Sequence, residues 1–233
     1  MTKKVTAWAV HYFTASGALC ALYSLVEIAN NHPRNALLWL MLSQVIDGLD
    51  GIFARKVNVI KHTPNIDGNV LDLVIDYTTC ALVPVLFAMK FNLFQQNVDM
   101  IICSLIVFVS VIWFSRRDIE TKDYWFRGFP TAWNLVVTAL WLFDLSPAIN
   151  SLIALIFIIL TITPKIKFFH IIRSPQFRNS TIILSTLLIA IMSIMVIDRS
   201  AENNIYGKAF ILIWTVYASF VTIWRSLQPD EVV

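Results

Sequence analysis

Little of this sequence is charged. Only 14% of its 233 residues are Asp, Glu, Lys or Arg, against 58% hydrophobic, and the mean hydropathy is +0.69. A soluble globular domain carries about 25% charged residues, so an ordinary water-soluble core is excluded. Cysteine is sparse too. Cys20, Cys80 and Cys103 fall in apolar stretches, and an odd number of thiols without paired spacing reads as packing, not as a disulfide framework or a zinc site. There is no glycine-rich phosphate loop, repeat, low-complexity tract or soluble domain, and no Ser–His or Cys–His constellation for a covalent intermediate. The basic residues are scattered over loops, which argues against nucleic-acid binding.

What the chain does have is apolar runs of bilayer-spanning length, each needing about 20 residues. They fall at 7–29, 35–54, 67–89, 98–115, 131–146, 148–169, 180–198 and 207–226. The expectation is an all-α integral membrane protein of about eight transmembrane helices, with 1–233 forming a single transmembrane catalytic domain. With both termini in the cytoplasm, Lys3, Lys4, Arg55, Lys56, Lys61, Arg116, Arg117, Lys122, Arg127, Lys165, Lys167, Arg173, Arg178 and Arg225 lie inside. Arg34, Lys90, Arg199 and Lys208 lie outside, the bias that sets topology in helical membrane proteins. The first apolar stretch is long and lacks a small-residue cleavage site, so no cleaved signal peptide is expected.

Against this background the acids stand out. Asp47 and Asp50 fall near the end of the second span, and Asp72 and Asp76 near the start of the third. Carboxylates in hydrocarbon are expensive and gather around something cationic, for which a hard divalent ion with oxygen ligands is the natural choice. Counting from Arg55 and Ile66 at about 1.5 Å per residue, both pairs sit roughly 7–15 Å below one membrane face and can meet at one level. Asp47, Asp50, Gly51 and Ala54 share one helical stripe, and Gly68, Asp72 and Asp76 another. The small residues admit either a close helix or a flat ligand.

Asp47-x-x-Asp50-Gly51-x-x-Ala54-Arg55, followed by Gly68-x-x-x-Asp72-x-x-x-Asp76, resembles the signature of the CDP-alcohol phosphatidyltransferases. Twelve residues separate Arg55 from Gly68, a longer spacer than most members have. That spacer, the Asp47-Gly48-Leu49-Asp50-Gly51 stretch, the opening Ala7-Trp8-Ala9-Val10-His11-Tyr12-Phe13-Thr14-Ala15 and the later Tyr124-Trp125-Phe126-Arg127-Gly128-Phe129-Pro130-Thr131-Ala132-Trp133-Asn134 are similar to the bacterial phosphatidylcholine synthase type. The resemblance implies a six-helix family core plus two further helices, in a bacterial inner membrane, with the active site facing the cytoplasm. It implies transfer of a phosphatidyl group from CDP-diacylglycerol to choline with release of CMP, and a homodimer would fit the family.

On this reading Asp47, Asp50, Asp72 and Asp76 ligate Mn2+ or Mg2+, two metals clamping the pyrophosphate, and Asp76 also serves as catalytic base. The CDP moiety is expected against Gly51, Ala54, Arg55 and Gly68, with Thr14 and His11 as polar contacts from the first helix. Asp67 reads as a helix N-terminal acid. A quaternary ammonium is bound by aromatic faces and a nearby acid. Tyr77, Trp125 and Trp133 are the cage candidates, with Trp113, Tyr124, Phe126 and Phe129 near them and Glu120 and Asp123 as counter-charges. The alternative for any of these aromatics is an interfacial belt. Arg116, Arg117, Lys122 and Arg127 read either as a lipid-phosphate site or as topological charge. Serine, inositol or glycerol phosphate are the alternative acceptors, and the aromatic content favours a choline-like cation. A cation or choline transporter is the rival of a different class, but it would be expected to show repeats and broken helices in matching halves.

Overall fold

The structure, a computed structural model, describes residues 2–198 and 204–229. Arg199, expected outside, lies beyond the described residues. The chain forms α1 (Thr2–Ala29), α2 (Pro33–Val57), a short α3 (Val59–His62), α4 (Gly68–Asp76), a π-helical turn (Tyr77–Leu82), α5 (Val83–Lys90), α6 (Asp99–Phe114), β1 (Trp125–Arg127), α7 (Trp133–Phe143), α8 (Pro147–Thr161), β2 (Lys167–Phe169), α9 (Arg178–Ile197) and α10 (Ile205–Ser226). Among the described residues, five helical stretches are long and apolar enough to cross a bilayer: α1, α2, the continuous Gly68–Lys90, α9 and α10. α6, α7 and α8 are apolar but shorter. All eight expected spans are therefore helices, three of them shorter than expected.

The sixth differs most from its expected range of 148–169. It stops at Thr161, because Pro164 cannot continue it, and the chain turns into β2. β2 pairs antiparallel with β1, Trp125 opposite Phe169 and Arg127 opposite Lys167. This two-stranded ribbon joins the start of α7 to the end of α8 and makes those helices a hairpin.

With only six glycines in the chain, helix ends rely on other residues. Asn31, Asn58, Asn92 and Asp144 adopt positive φ where α1, α2, α5 and α7 finish, the conformation that glycine usually supplies and that Asn and Asp tolerate best. After Asn31 the turn is tight: His32 N donates to Glu27 O at 2.9 Å. α2 then runs back along α1, with Ser24 donating to Ala36 O at 3.0 Å.

The π-helical turn begins at the residue after Asp76. Pro84 has no N–H to continue the ladder. Thr78 and Thr79 hydroxyls compete for the carbonyls of Val74 and Ile75, at 2.7 and 3.0 Å, a pattern that bends helices. The extra residue in the turn swings Tyr77 onto the edge of Phe114.

Two ends of the bundle can be distinguished. At one, Arg34 donates to Val196 O and lies over Trp141, and Lys208 lies over Phe143. At the other, Arg225 at the end of α10 makes two hydrogen bonds to Asp123, 2.9 and 3.0 Å, and Lys167 Nζ donates to Gln228 O. α10 thereby fastens the ribbon from outside. Burial pushes the Asp123 carboxyl up, but the hydrogen bonds and charge of Arg225 outweigh this and hold it below the ordinary carboxylate range.

α1 comes close to α4 at Gly17, where an added Cβ would stand 2.7 Å from Ile75 Cγ2. Ile75 lies between Asp72 and Asp76, so this contact sets how near α4 comes to the rest of the bundle. Gly17→Ala should lower the thermal midpoint of the protein in detergent, overpacking costing about 1–3 kcal/mol. Adding Ile75→Ala should recover part of that loss in the same melting assay.

Candidate active site

α2 and α4 deliver the acids to one place. Ligand oxygens of Asp47, Asp50 and Asp72 lie within 4.8 Å of one another. Asp76, one turn beyond Asp72, lies against Asp47, and its Oδ1 is buried with no hydrogen-bond partner among the described residues. Asp50 is itself buried, and the Thr14 hydroxyl, which donates to Val10 O at 3.3 Å, reaches it from α1. Three converging carboxylates and an orphaned fourth oxygen are a donor set suited to a hard divalent cation.

The small residues divide into two groups. At Gly51 the atoms nearest an added Cβ belong to the Arg55 guanidinium, the first at 3.1 Å, and at Gly48 it would meet nothing within 4 Å. This side of α2 is open beside the acids. Ala54 instead packs against Ala7, Val10 and Val59. Gly68 packs against the His11 ring, at 3.4 Å from its would-be Cβ.

His11 is buried, with Nε2 2.8 Å from Thr63 Oγ1. Since the Thr63 hydroxyl donates to Val59 O, it accepts from His11, and Nε2 carries the proton. His11 thus ties α1 to the long spacer that the sequence shows between Arg55 and Gly68. Asp67 caps α4, accepting from Asn69 N and Val70 N.

One contact to the acids has no counterpart in the sequence reading. Gln44 Nε2 donates to Asp47 Oδ2 at 3.1 Å, and Gln44 Oε1 accepts from Asn134 Nδ2 on α7 at 2.8 Å. Gln44 lies one turn before Asp47, the only signal its position offers.

The aromatic candidates do not form one group. Trp125 is fully buried with Phe169 and Val221, next to α10, and its indole N–H donates to Gln176. Trp133 is fully buried in the main core beside Phe129 and Phe157, and its Nε1 has no hydrogen-bond partner. Tyr77 borders that same core. Glu120 is paired with Arg173 at 3.2 Å, and the Arg173 guanidinium lies 4.1 Å over the Tyr124 ring. Both expected counter-charges, Glu120 and Asp123, therefore already hold arginines. Arg116 forks onto Asp118 at 3.0 and 2.8 Å, Arg117 is exposed, and the Arg127 carbonyl accepts from Trp113 Nε1.

His170, which the sequence did not single out, follows β2 and stacks on Phe126, centroids 5.3 Å apart. Its Nδ1 accepts from Ile172 N and Arg173 N. Burial, then the charges of Arg173 and Arg55, push its pKa down to about 4, so the ring is neutral near pH 7.

The profile of the CDP-alcohol phosphatidyltransferase family matches residues 9–163, which carry all four acids. The chain belongs to that family. As a CDP-alcohol phosphatidyltransferase it is a multi-pass membrane protein, and α9 and α10 lie outside the matched segment. Proteins named phosphatidylcholine synthase are similar over more of its length. The one from Pseudomonas aeruginosa is 33% identical over 228 residues, 97% of this chain and 94% of the relative. That from Borreliella burgdorferi is 32% identical over 225 residues, 96% of each. That from Rhizobium meliloti is 34% identical over 175 residues, 75% of this chain and 72% of the relative.

The His170 geometry predicts acid sensitivity. A histidine whose folded pKa lies below its unfolded value stabilises the fold above the unfolded pKa and loses that contribution as pH falls. Between about 6.5 and about 4 the unfolded chain takes up the proton first, a difference of up to about 3 kcal/mol. His170→Asn keeps an acceptor for the two backbone N–H groups and cannot titrate there. Chemical or thermal unfolding across this window should show the wild type losing stability more steeply than the variant.

Proposed function

We propose that this transferase moves the phosphatidyl group of CDP-diacylglycerol to choline, giving phosphatidylcholine and CMP. The observation that carries this reading is the convergence of Asp47, Asp50 and Asp72 beside the unpartnered oxygen of Asp76. The phosphatidylcholine synthases to which the chain is similar support choline as the acceptor.

Asp47, Asp50 and Asp72, with Asp76, would hold divalent metal, manganese or magnesium. Bound there, the metal supplies positive charge to neutralise the pyrophosphate and the departing CMP. The open side of α2 at Gly48 and Gly51 leaves room for the nucleotide, and Arg55 offers its guanidinium to a phosphate oxygen. From the α1 side Thr14 stands beside Asp50, and His11 holds the spacer. Asp76 accepts the proton of the choline hydroxyl. The hydroxyl oxygen bonds to the phosphorus nearer the diacylglycerol, the bond from that phosphorus to the bridging oxygen breaks, and CMP leaves with that oxygen.

Tyr77, next in sequence to Asp76, offers an aromatic face to the choline ammonium, whereas Trp133 is packed into the core against Phe129 and Phe157. Trp125 supports the ribbon from behind. Arg116, Arg117 and Arg127 stand at the same end of the bundle as the ribbon, where a lipid phosphate would arrive. The predominance of basic residues at this end supports a cytoplasmic active site in a bacterial inner membrane.

Purified protein in detergent, given CDP-diacylglycerol and labelled choline with and without Mn2+, should form phosphatidylcholine and CMP only with metal. Asp76→Asn should lower turnover about 10²–10⁴-fold, and Asp47→Asn should also raise the metal concentration required. CMP release with another alcohol but not with choline would refute the choline assignment, and metal-independent turnover the metal assignment.

A further inference from the structure

A chain of hydrogen bonds connects the start of α7 to the acidic cluster. Leu135 N donates to Asn134 Oδ1 at 3.0 Å, Asn134 Nδ2 donates to Gln44 Oε1 at 2.8 Å, and Gln44 Nε2 donates to Asp47 Oδ2 at 3.1 Å. A side-chain amide has an acceptor end and a donor end, and the two can usually be exchanged. Here one end of the chain forbids exchange. The Leu135 N–H can only donate, so Asn134 must turn its oxygen to it and its nitrogen to Gln44, and Gln44 in turn must point its nitrogen at Asp47. Asn134 is fully buried, in a helix otherwise apolar up to Thr138, and a buried amide is kept only where its hydrogen bonds are met.

We propose that Gln44 and Asn134 are positioning residues for Asp47. They grip one carboxylate oxygen and fix the plane in which Asp47 faces Asp50 and Asp72. The pair also couples α7 to the cluster, so the helix that carries Trp133 in its first turn is held to the acids by the next residue. This rests on the metal-dependent reading above. Partners of this kind, which touch a ligand residue and not the ion, typically govern metal affinity by 10–100-fold. A bond that merely joins two helices would alter melting behaviour and leave affinity unchanged.

The test is calorimetric titration of the purified full-length protein with Mn2+ in detergent, without substrate, alongside its melting temperature without metal. Gln44→Met keeps length and removes both hydrogen bonds. Asn134→Leu keeps volume and leaves Gln44 without the partner that orients it. The expected result is a Mn2+ dissociation constant raised about 10-fold or more by Gln44→Met, and by a smaller factor by Asn134→Leu. Affinity within twofold of wild type in Gln44→Met would overturn the proposal, whatever its melting temperature. If that variant does not fold, Asn134→Leu carries the same comparison, and loss of folding in both would mark the chain as structural and overturn it. Absence of Mn2+ and Mg2+ binding by the wild type would overturn the metal assignment and the positioning role together. Wild-type binding that both variants retain overturns the positioning role alone.

Discussion

Four carboxylates on two neighbouring helices repel one another, and inside a bilayer there is little water to screen them. Holding them together is the constraint under which the other contacts make sense. α4 must lie close to α2, yet nothing apolar can be placed between the two acid pairs. The structure meets this from the sides. Gly17 lets α1 press against Ile75 from behind the acids, Thr14 reaches Asp50 from the same helix, and Gln44 holds Asp47 from within α2. His11 secures the spacer that joins the two acid-bearing helices. The open side of α2 at Gly48 and Gly51 is left for what neutralises the cluster.

The ribbon and α10 solve a different problem. α7 and α8 are among the shorter apolar helices, and they form a hairpin. β1 and β2 close it, and Arg225 and Lys167 fasten the closure to α10. Phe126 on one side of β1 faces Trp113 and His170, while Trp125 on the other faces Val221. Adjacent strand residues point to opposite faces, so the two neighbours serve separate clusters.

That alternation marks where the sequence stops being legible. Helical spans declare themselves through runs of apolar residues, and Asp47, Asp50, Asp72 and Asp76 declare themselves by costing too much to bury idly. Their meeting follows from counting residues to a membrane face. Trp125 and Trp133 look equivalent in sequence, and only the three-residue strand shows that they lie in different clusters. Glu120 and Asp123 read as spare counter-charges because Arg173 and Arg225, their partners, are 53 and 102 residues away. Gln44 is hidden for the same reason: its meaning depends on Asn134, 90 residues further on. His170 carries no motif, and its neutrality comes from burial and from two arginines that meet it only in the fold.

The separation between Asp123 and Arg225 also orders events in time. A membrane protein is threaded into the bilayer from its N-terminus as it is made, so α1, α2 and α4 are in place while α10 is still unsynthesised. The acids can assemble early, but the ribbon cannot be fastened until the last helix has been inserted. Between the synthesis of β2 and the insertion of α10 the α7–α8 hairpin is therefore unlatched, and Arg225 fastens it.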